Sequence, residues 1–285
     1  MNIARRNLLA LTVGVLTAPR LLAEPIAPRW RAIALDGLVV FDTRRVQNVA
    51  EERFPGFGAA LVTAWRSRQF EYQWLRTTGE QYSDFLSVTN DSLEFAARSL
   101  GLELSAETRA ALLDVYVALD AWPDAAKALH ALRESGMKLA FLSNMTAAML
   151  NDGIARAGFG GLFDYVLSTD AVRAFKPSPN AYALGPRVLG FPKESILFVA
   201  SAGWDAAGAR WFGYPTYWVN RNAAPHESLG ARADGAGPDL SSLVQYVREH
   251  ATSDSARSIT SGIAVAASLL DPESPDADRR RSLMF

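Results

Sequence analysis

Between Ala125 and Val219 the chain repeats one local pattern: an amphipathic stretch closed by a breaker, then a short apolar run. Pro123 suits a first helical turn, Ala125, Ala128, Leu129 and Leu132 share one helical face, and Gly136 can end that helix. Met137 to Leu142 reads as a strand ending at Ser143-Asn144. Ala147, Leu150 and Ile154 mark the next helix, closed by Gly158, and Tyr165 to Leu167 the next strand. Lys176-Pro177 lies in a loop, Pro179 to Leu189 reads as a helix and Ile196 to Ala200 as a strand. A helix then ends at Phe212, and Thr216 to Val219 is a further strand. Apolar runs without polar alternation suit parallel strands covered on both faces. Their alternation with helices predicts an α/β fold with a parallel, Rossmann-like sheet. Right-handed crossovers would bring the carboxyl ends of the strands to one side.

Ala32 to Leu35 is the first such run, and Asp36-Gly37 ends it. Ligands of open parallel sheets bind beyond the carboxyl ends of the strands. Asp36 therefore stands where a reactive group belongs, or else it caps a turn. Gly37 to Phe41 is an apolar link ending at Asp42. From Val46 to about Leu119 the pattern is helical, with Phe54-Pro55-Gly56 as a breaker and Leu61, Ala64, Trp65, Arg68 and Tyr72 near one face. Phe85, Val88, Leu93, Phe95 and Ala96 belong to further helical segments; Gly101 ends one helix and Ser105 is the N-cap of another. The expected plan is a core over 30–45 and 120–250, with an inserted helical cap over 46–119.

Both ends of the chain differ from this pattern. Arg5-Arg6 precede an apolar run from Leu8 to Ala18, and Leu21-Leu22-Ala23 precede a candidate cleavage point. That is the form of a secretory signal, with the paired arginines of the twin-arginine route. Residues 1–23 are expected to direct periplasmic export, with a cytoplasmic location as the alternative; the run is too short for a comfortable membrane span. From Ala251 a small, polar stretch, an Ala-rich apolar stretch and a charged end read as a poorly ordered tail over 251–285. The net formal charge is -1 and no basic stripe suggests nucleic acid. The absence of Cys excludes a disulfide, a thiolate nucleophile and a Cys-based metal site. His130, His226 and His250 lack ligand spacing, which argues against a histidine metal centre.

Asp36, Ser143-Asn144, Lys176 and Asp205 all fall at or just beyond expected strand ends, which points to one pocket. Lys176 could pair with Asp36 and keep it ionised, or the pair could be purely structural.

From about Ala32 to Gly230 the sequence resembles the type II (S)-2-haloacid dehalogenases of the haloacid dehalogenase superfamily. The likeness rests on Asp36, Phe54-Pro55-Gly56, Trp65-Arg66, Gln69 to Arg76, Leu142-Ser143-Asn144, Lys176-Pro177 and Gly203-Trp204-Asp205. It continues more weakly through Tyr217 to Arg221. The resemblance implies a Rossmann-like core with a helical cap, metal-independent hydrolysis without a cofactor, small 2-haloacid anions as substrates, (S) stereospecificity and a possible homodimer. By the same resemblance Asp36 is the nucleophile and Arg66 the cap arginine near the departing halide. Ser143 and Asn144 are the second-strand pair, with Ser143 holding the substrate carboxylate. Lys176 is the core lysine, Tyr182 contacts its network, and Asp205 is the acid of the last motif. Phe70, Phe85 and Trp204 form the apolar wall. A carboxylate can displace halide from an α-carbon to form an ester, which splits one hard step into two. A positioned guanidinium stabilises the charge gathering on the halide.

The chain departs from the family pattern in two places. The family's first motif is usually Asp-x-x-Gly-Thr, whereas here the link from Asp36 to Asp42 is one residue shorter and Val39 or Val40 replaces the threonine. Ala200-Ser201-Ala202 stands where Ser-Ser-Asn is common, so Ala202 lacks the amide expected to help handle ester and water. Both departures bear on the hydrolytic step more than on the first. Two other readings compete. A phosphatase of the same superfamily would carry an acid two residues after the nucleophile, where this chain has Leu38, and Asp205 alone would hold magnesium poorly. A catalytically weakened or inactive binding protein would keep the fold after losing motif chemistry at Val40 and Ala202.

Overall fold

The computed structural model describes residues 29–250. The export segment expected over 1–23 and the tail expected over 251–285 lie outside these residues.

The chain runs β1 (Ala32–Leu35), α1 (Gly37–Val40), β2 (Phe41–Asp42), α2 (Arg44–Arg53), α3 (Gly58–Thr78), α4 (Phe85–Ser99) and α5 (Ala106–Val117). It continues through β3 (Asp120–Ala121), α6 (Ala125–Glu134), β4 (Lys138–Ser143), α7 (Ala147–Ala157), β5 (Tyr165–Ser168), α8 (Pro179–Tyr182) and α9 (Leu184–Leu189). The last described elements are β6 (Ile196–Ala200), α10 (Gly203–Phe212), β7 (Thr216–Val219), β8 (Gly235–Gly237) and α11 (Leu240–His250).

The main sheet has the order β5-β4-β1-β6-β7-β8, and every neighbouring pair is parallel. The period of two along a strand divides its side chains between two faces. Ile33, Leu35, Leu139, Phe141, Leu197 and Val199 pack on one face against Leu129 and Leu132 of α6, Leu150 of α7 and Leu243 of α11. Ala32, Ala34, Ala140, Leu142, Phe198 and Ala200 pack on the other, against Tyr182, Leu189, Ala206 and Ala209 of α8–α10. With both faces covered, the strands have no polar side to display, which is why their sequences read as unbroken apolar runs.

β1 lies between β4 and β6, with Leu35 opposite both Phe141 and Val199. The chain order reverses there, and ligand sites of open α/β sheets form at such points. The residues after β1, at the end of β4 and after β6 are therefore brought together.

The helices α2–α5 form an insertion. The chain leaves the core through β2 and returns through β3, and these pair antiparallel, with Phe41 opposite Ala121. Leu61, Val62 and Trp65 of α3 bury against Val88, Leu93 and Ala96 of α4 and Leu112 and Tyr116 of α5. The Trp65 indole N–H donates to the Thr89 carbonyl at 2.8 Å inside this packing.

Several boundaries differ from the sequence reading. The insertion begins with α2 at Arg44, ahead of Val46. Gly37–Val40 is one helical turn capped by Asp36 rather than a plain link. Pro123 lies in the turn before α6, which starts at Ala125. The helix expected over Pro179 to Leu189 is broken at Ala183. Pro186 has no N–H for the Tyr182 carbonyl four residues back, and its ring crowds that carbonyl. β8, with the sequence Gly-Ala-Gly, has no apolar run to announce it.

Candidate active site

Asp36 follows β1 and caps α1, and its Oδ2 accepts from the Leu38 N–H at 3.1 Å. Lys176 is fully buried, and its ammonium donates to Asp36 Oδ1 at 2.9 Å and to Asp205 Oδ2 at 2.6 Å. Two hydroxyls complete the shell of Asp36: Ser143 Oγ donates to Oδ1 at 3.3 Å and Ser201 Oγ to Oδ2 at 2.7 Å. Gly37 makes room for Ser143, since a Cβ there would lie 2.9 Å from the Ser143 hydroxyl. Behind Asp205, the Tyr182 hydroxyl donates to Oδ1 at 2.7 Å. Gly208 allows this approach, because a Cβ there would stand 2.5 Å from the Tyr182 hydroxyl.

Burial pushes the Asp36 carboxyl up, but the charge of Lys176 and hydrogen bonds from Lys176, Ser201 and Leu38 overcome it, and its pKa falls below the ordinary carboxylate value. Burial pushes Asp205 up to about 6, against the pull of Lys176 and with the help of the Asp36 charge. Burial lowers Lys176, but the two carboxylates outweigh it and raise the ammonium above its usual value. At neutral pH Asp36 is an anion and Lys176 a cation, while Asp205 is mostly ionised but close enough to its pKa of about 6 to take up and release a proton.

These groups open into a cavity of ≈ 670 Å³ between the strand ends and the cap. Val62, Arg66, Gln69, Phe70 and Gln73 line it from α3, at spacings that put them on one helical face. Phe85 and Tyr116 add to the cap side, and Ser201 to Asp205 to the core side. Phe70 meets Trp204 with ring centroids 4.7 Å apart, closing cap against core. Among the described residues no carboxylate pairs with Arg66, so its guanidinium remains available to an anion in the cavity.

The haloacid dehalogenase-like hydrolase family model matches residues 21–213. The chain belongs to this hydrolase family. It is 39% identical to the (S)-2-haloacid dehalogenase of Pseudomonas sp. strain YL over 206 residues, 72% of this chain and 89% of that protein. Its fold matches the crystal structure of an L-2-haloacid dehalogenase at 44% identity and a TM-score of 0.75, covering 77% of this chain and 99% of the other. It also matches the L-2-haloacid dehalogenase of Xanthobacter autotrophicus with chloropropionic acid covalently bound. There the identity is 35% and the TM-score 0.69, covering 77% of this chain and 98% of the other.

In this haloacid dehalogenase-like hydrolase, Asp36, Arg66, Lys176, Asp205, Ser143, Asn144, Phe70, Phe85 and Trp204 all line the one cavity. Tyr182 does not: it is buried behind Asp205, which it holds by hydrogen bonding. Asn144 lines the cavity, but its amide is taken up by protein. Its Oδ1 accepts from the Lys176 N–H at 2.9 Å and the Thr169 hydroxyl at 3.3 Å, and its Nδ2 donates to Gln73 Oε1 at 2.8 Å. Asn144 thus fixes the lysine backbone and ties it to α3. The Ser143 hydroxyl faces Asp36 and also accepts from the Met145 N–H at 3.2 Å. Val39 and Val40 are buried and supply no hydroxyl, and Ala202 presents only a methyl group to the cavity.

Ser201, Gln69 and Gln73 also line the cavity, although the sequence assigns them no role. Gln69 spans Thr89 Oγ1 at 2.5 Å and the Tyr116 hydroxyl at 3.1 Å, which holds the cap face in place. A signal was present in the spacing, because Gln69 and Gln73 stand one and two turns beyond Arg66.

Proposed function

We propose that this chain hydrolyses small 2-haloalkanoic acids to 2-hydroxy acids without a metal, through an ester on Asp36. The observation that carries the reading is a Lys176-held Asp36 carboxylate that shares one cavity with Arg66. Asp36 Oδ1 attacks the α-carbon, the carbon–halogen bond breaks, and its electron pair leaves as halide towards Arg66. Water then attacks the ester carbonyl carbon and Asp205 accepts its proton, a task suited to an acid near pH 6. The Ser143 hydroxyl turns to the substrate carboxylate. The Lys176 ammonium stands between the two acids, in the space a cation would need to bridge them.

The chloropropionic acid adduct of the Xanthobacter relative supports the covalent route, and the relatives' names support small (S)-2-haloacids as substrates. The missing amide at Ala202 favours a second reading, in which the ester forms readily and breaks down slowly. We also infer a homodimer, favoured by exposed Trp74 and Leu75 on α3, and periplasmic export directed by Arg5-Arg6. Purified protein is expected to release halide from 2-chloropropionate, unchanged by chelator. No halide would sink the reading; loss in chelator with recovery on magnesium would sink its metal independence.

A further inference from the structure

The two oxygens of Asp36 are held differently. Oδ1 accepts from Lys176 and, over the longer 3.3 Å, from Ser143. Oδ2 accepts from the Leu38 N–H at 3.1 Å and the Ser201 hydroxyl at 2.7 Å. The Leu38 N–H belongs to the turn that Asp36 caps, so backbone geometry fixes it. Ser201 is the residue after β6, and the pairing of β6 with β1 carries it to Asp36. Ser201 also lines the cavity. Among the described residues no other side chain donates to Oδ2, and the positions where a threonine and an asparagine would be expected are apolar.

We propose that Ser201 is a catalytic residue: with the Leu38 N–H it forms a two-donor oxyanion site on Asp36 Oδ2 for breakdown of the ester. The assignment rests on the dehalogenase reading above. Oδ1 is the attacking oxygen, because its longer donor, Ser143, is the hydroxyl that turns to the substrate carboxylate. Oδ2 keeps both donors and becomes the ester carbonyl oxygen. When water attacks, its oxygen bonds to Cγ, the carbonyl π pair moves onto Oδ2, and one water proton passes to Asp205. Collapse breaks the Cγ–Oδ1 bond, and the departing alkoxide takes the proton from Asp205. The second water proton remains on the Asp36 carboxyl and is lost to solvent, because Lys176 favours the anion. The 2.7 and 3.1 Å separations fall in the range at which oxyanion donors act. A hydroxyl just past the strand beside β1 thus does for this chain what the absent amide and threonine hydroxyl cannot.

The test compares wild type, Ser201→Ala and Ser201→Thr on 2-chloropropionate, by rapid-quench halide release, steady-state turnover and intact-protein mass. Ser201→Ala should keep a first-turnover halide burst within about threefold of wild type while its steady-state turnover falls about 10²–10³-fold. Its covalent adduct should accumulate, and Ser201→Thr should restore most of the turnover. A merely structural serine would depress burst and turnover together, with no adduct. That outcome, turnover of Ser201→Ala within about twofold of wild type, or a threonine variant as slow as alanine would overturn the assignment. If wild type itself releases no halide, the dehalogenase reading fails and this inference with it. If wild type is active and Ser201→Ala is unaffected, only the Ser201 role fails.

Discussion

Replacing Lys176 by Met removes the charge at the centre of the site and keeps most of the volume. The ammonium is fully buried, 2.9 Å from Asp36 Oδ1 and 2.6 Å from Asp205 Oδ2. At an effective dielectric of ~20, unit charges at these separations attract by about 6 kcal/mol per pair. Much of that offsets the desolvation of the buried charges. Deleting one partner costs about 3–5 kcal/mol, because the remaining charge is left uncompensated. We expect Lys176→Met to lose that amount of unfolding free energy at pH 8, and to lose halide release. The pH dependence follows from the directions of the shifts. In wild type the lowered pKa of Asp36 contributes stability that is present above its unfolded value and lost as pH falls through the folded one. The raised pKa of Lys176 contributes stability that is complete below its unfolded value, so it stays constant between pH 5 and 8. In the variant, burial and mutual repulsion raise both carboxyls, so the folded state is penalised at pH 8 and relieved as they take up protons. Wild type gains part of this relief too, because its Asp205 titrates at about 6. With two raised carboxyls in the variant against one in wild type, the gap between the two proteins should still narrow from pH 8 to pH 5. Urea unfolding of both proteins at the two pH values measures it. A gap under about 1 kcal/mol at pH 8, the size of a surface ion pair, or a gap equal at both pH values, would refute the buried triad as the organiser of the site.

Arg66→Lys should lower kcat by about tenfold or more, because an ammonium lacks the planar fork of donors; near-normal turnover removes Arg66 from the halide site. The hydrolytic step should slow as pH falls below about 6, where Asp205 becomes protonated. Esterification removes the Asp36 charge that helps raise Asp205, so pre-steady-state hydrolysis should show this limb at or below that pH. Asp205→Asn should abolish the limb. Ala202→Asn should speed ester breakdown and shorten the life of any adduct, as seen by intact-protein mass; an unchanged adduct lifetime would show that position 202 does not touch the water.

Much of this was legible because the sheet leaves little choice. Ala32 to Leu35 and Ile196 to Ala200 read as doubly covered strands, and that places Asp36 and Ser201 beyond the carboxyl ends of the sheet. Lys176 was legible as a partner for Asp36 because a cation beside a strand-end acid has few other uses. Other features were not legible because they depend on packing rather than period. Nothing local shows that the Asn144 amide would be consumed by Lys176, Thr169 and Gln73, or that Tyr182 would stand behind Asp205. Gln69 and Gln73 stand at helical spacing from Arg66, but nothing local shows that Gln69 would be held inside the cap by Thr89 and Tyr116, or that Gln73 would meet Asn144 of the core. The break at Ala183 was available from Pro186, whose missing N–H and bulky ring stop the helix.

Whether Asp36 is the nucleophile is decided by a single turnover in heavy-oxygen water with excess enzyme. If Asp36 Oδ1 attacks the α-carbon, the hydroxyl of the first product comes from the carboxylate. Water attacking the ester leaves its own oxygen on Asp36. Attack by Asp36 predicts largely unlabelled 2-hydroxy acid and a heavier peptide containing Asp36. Labelled first-turnover product with an unchanged peptide would mean that water attacks the substrate directly, and would contradict Asp36 as nucleophile even if Asp36→Asn were inactive.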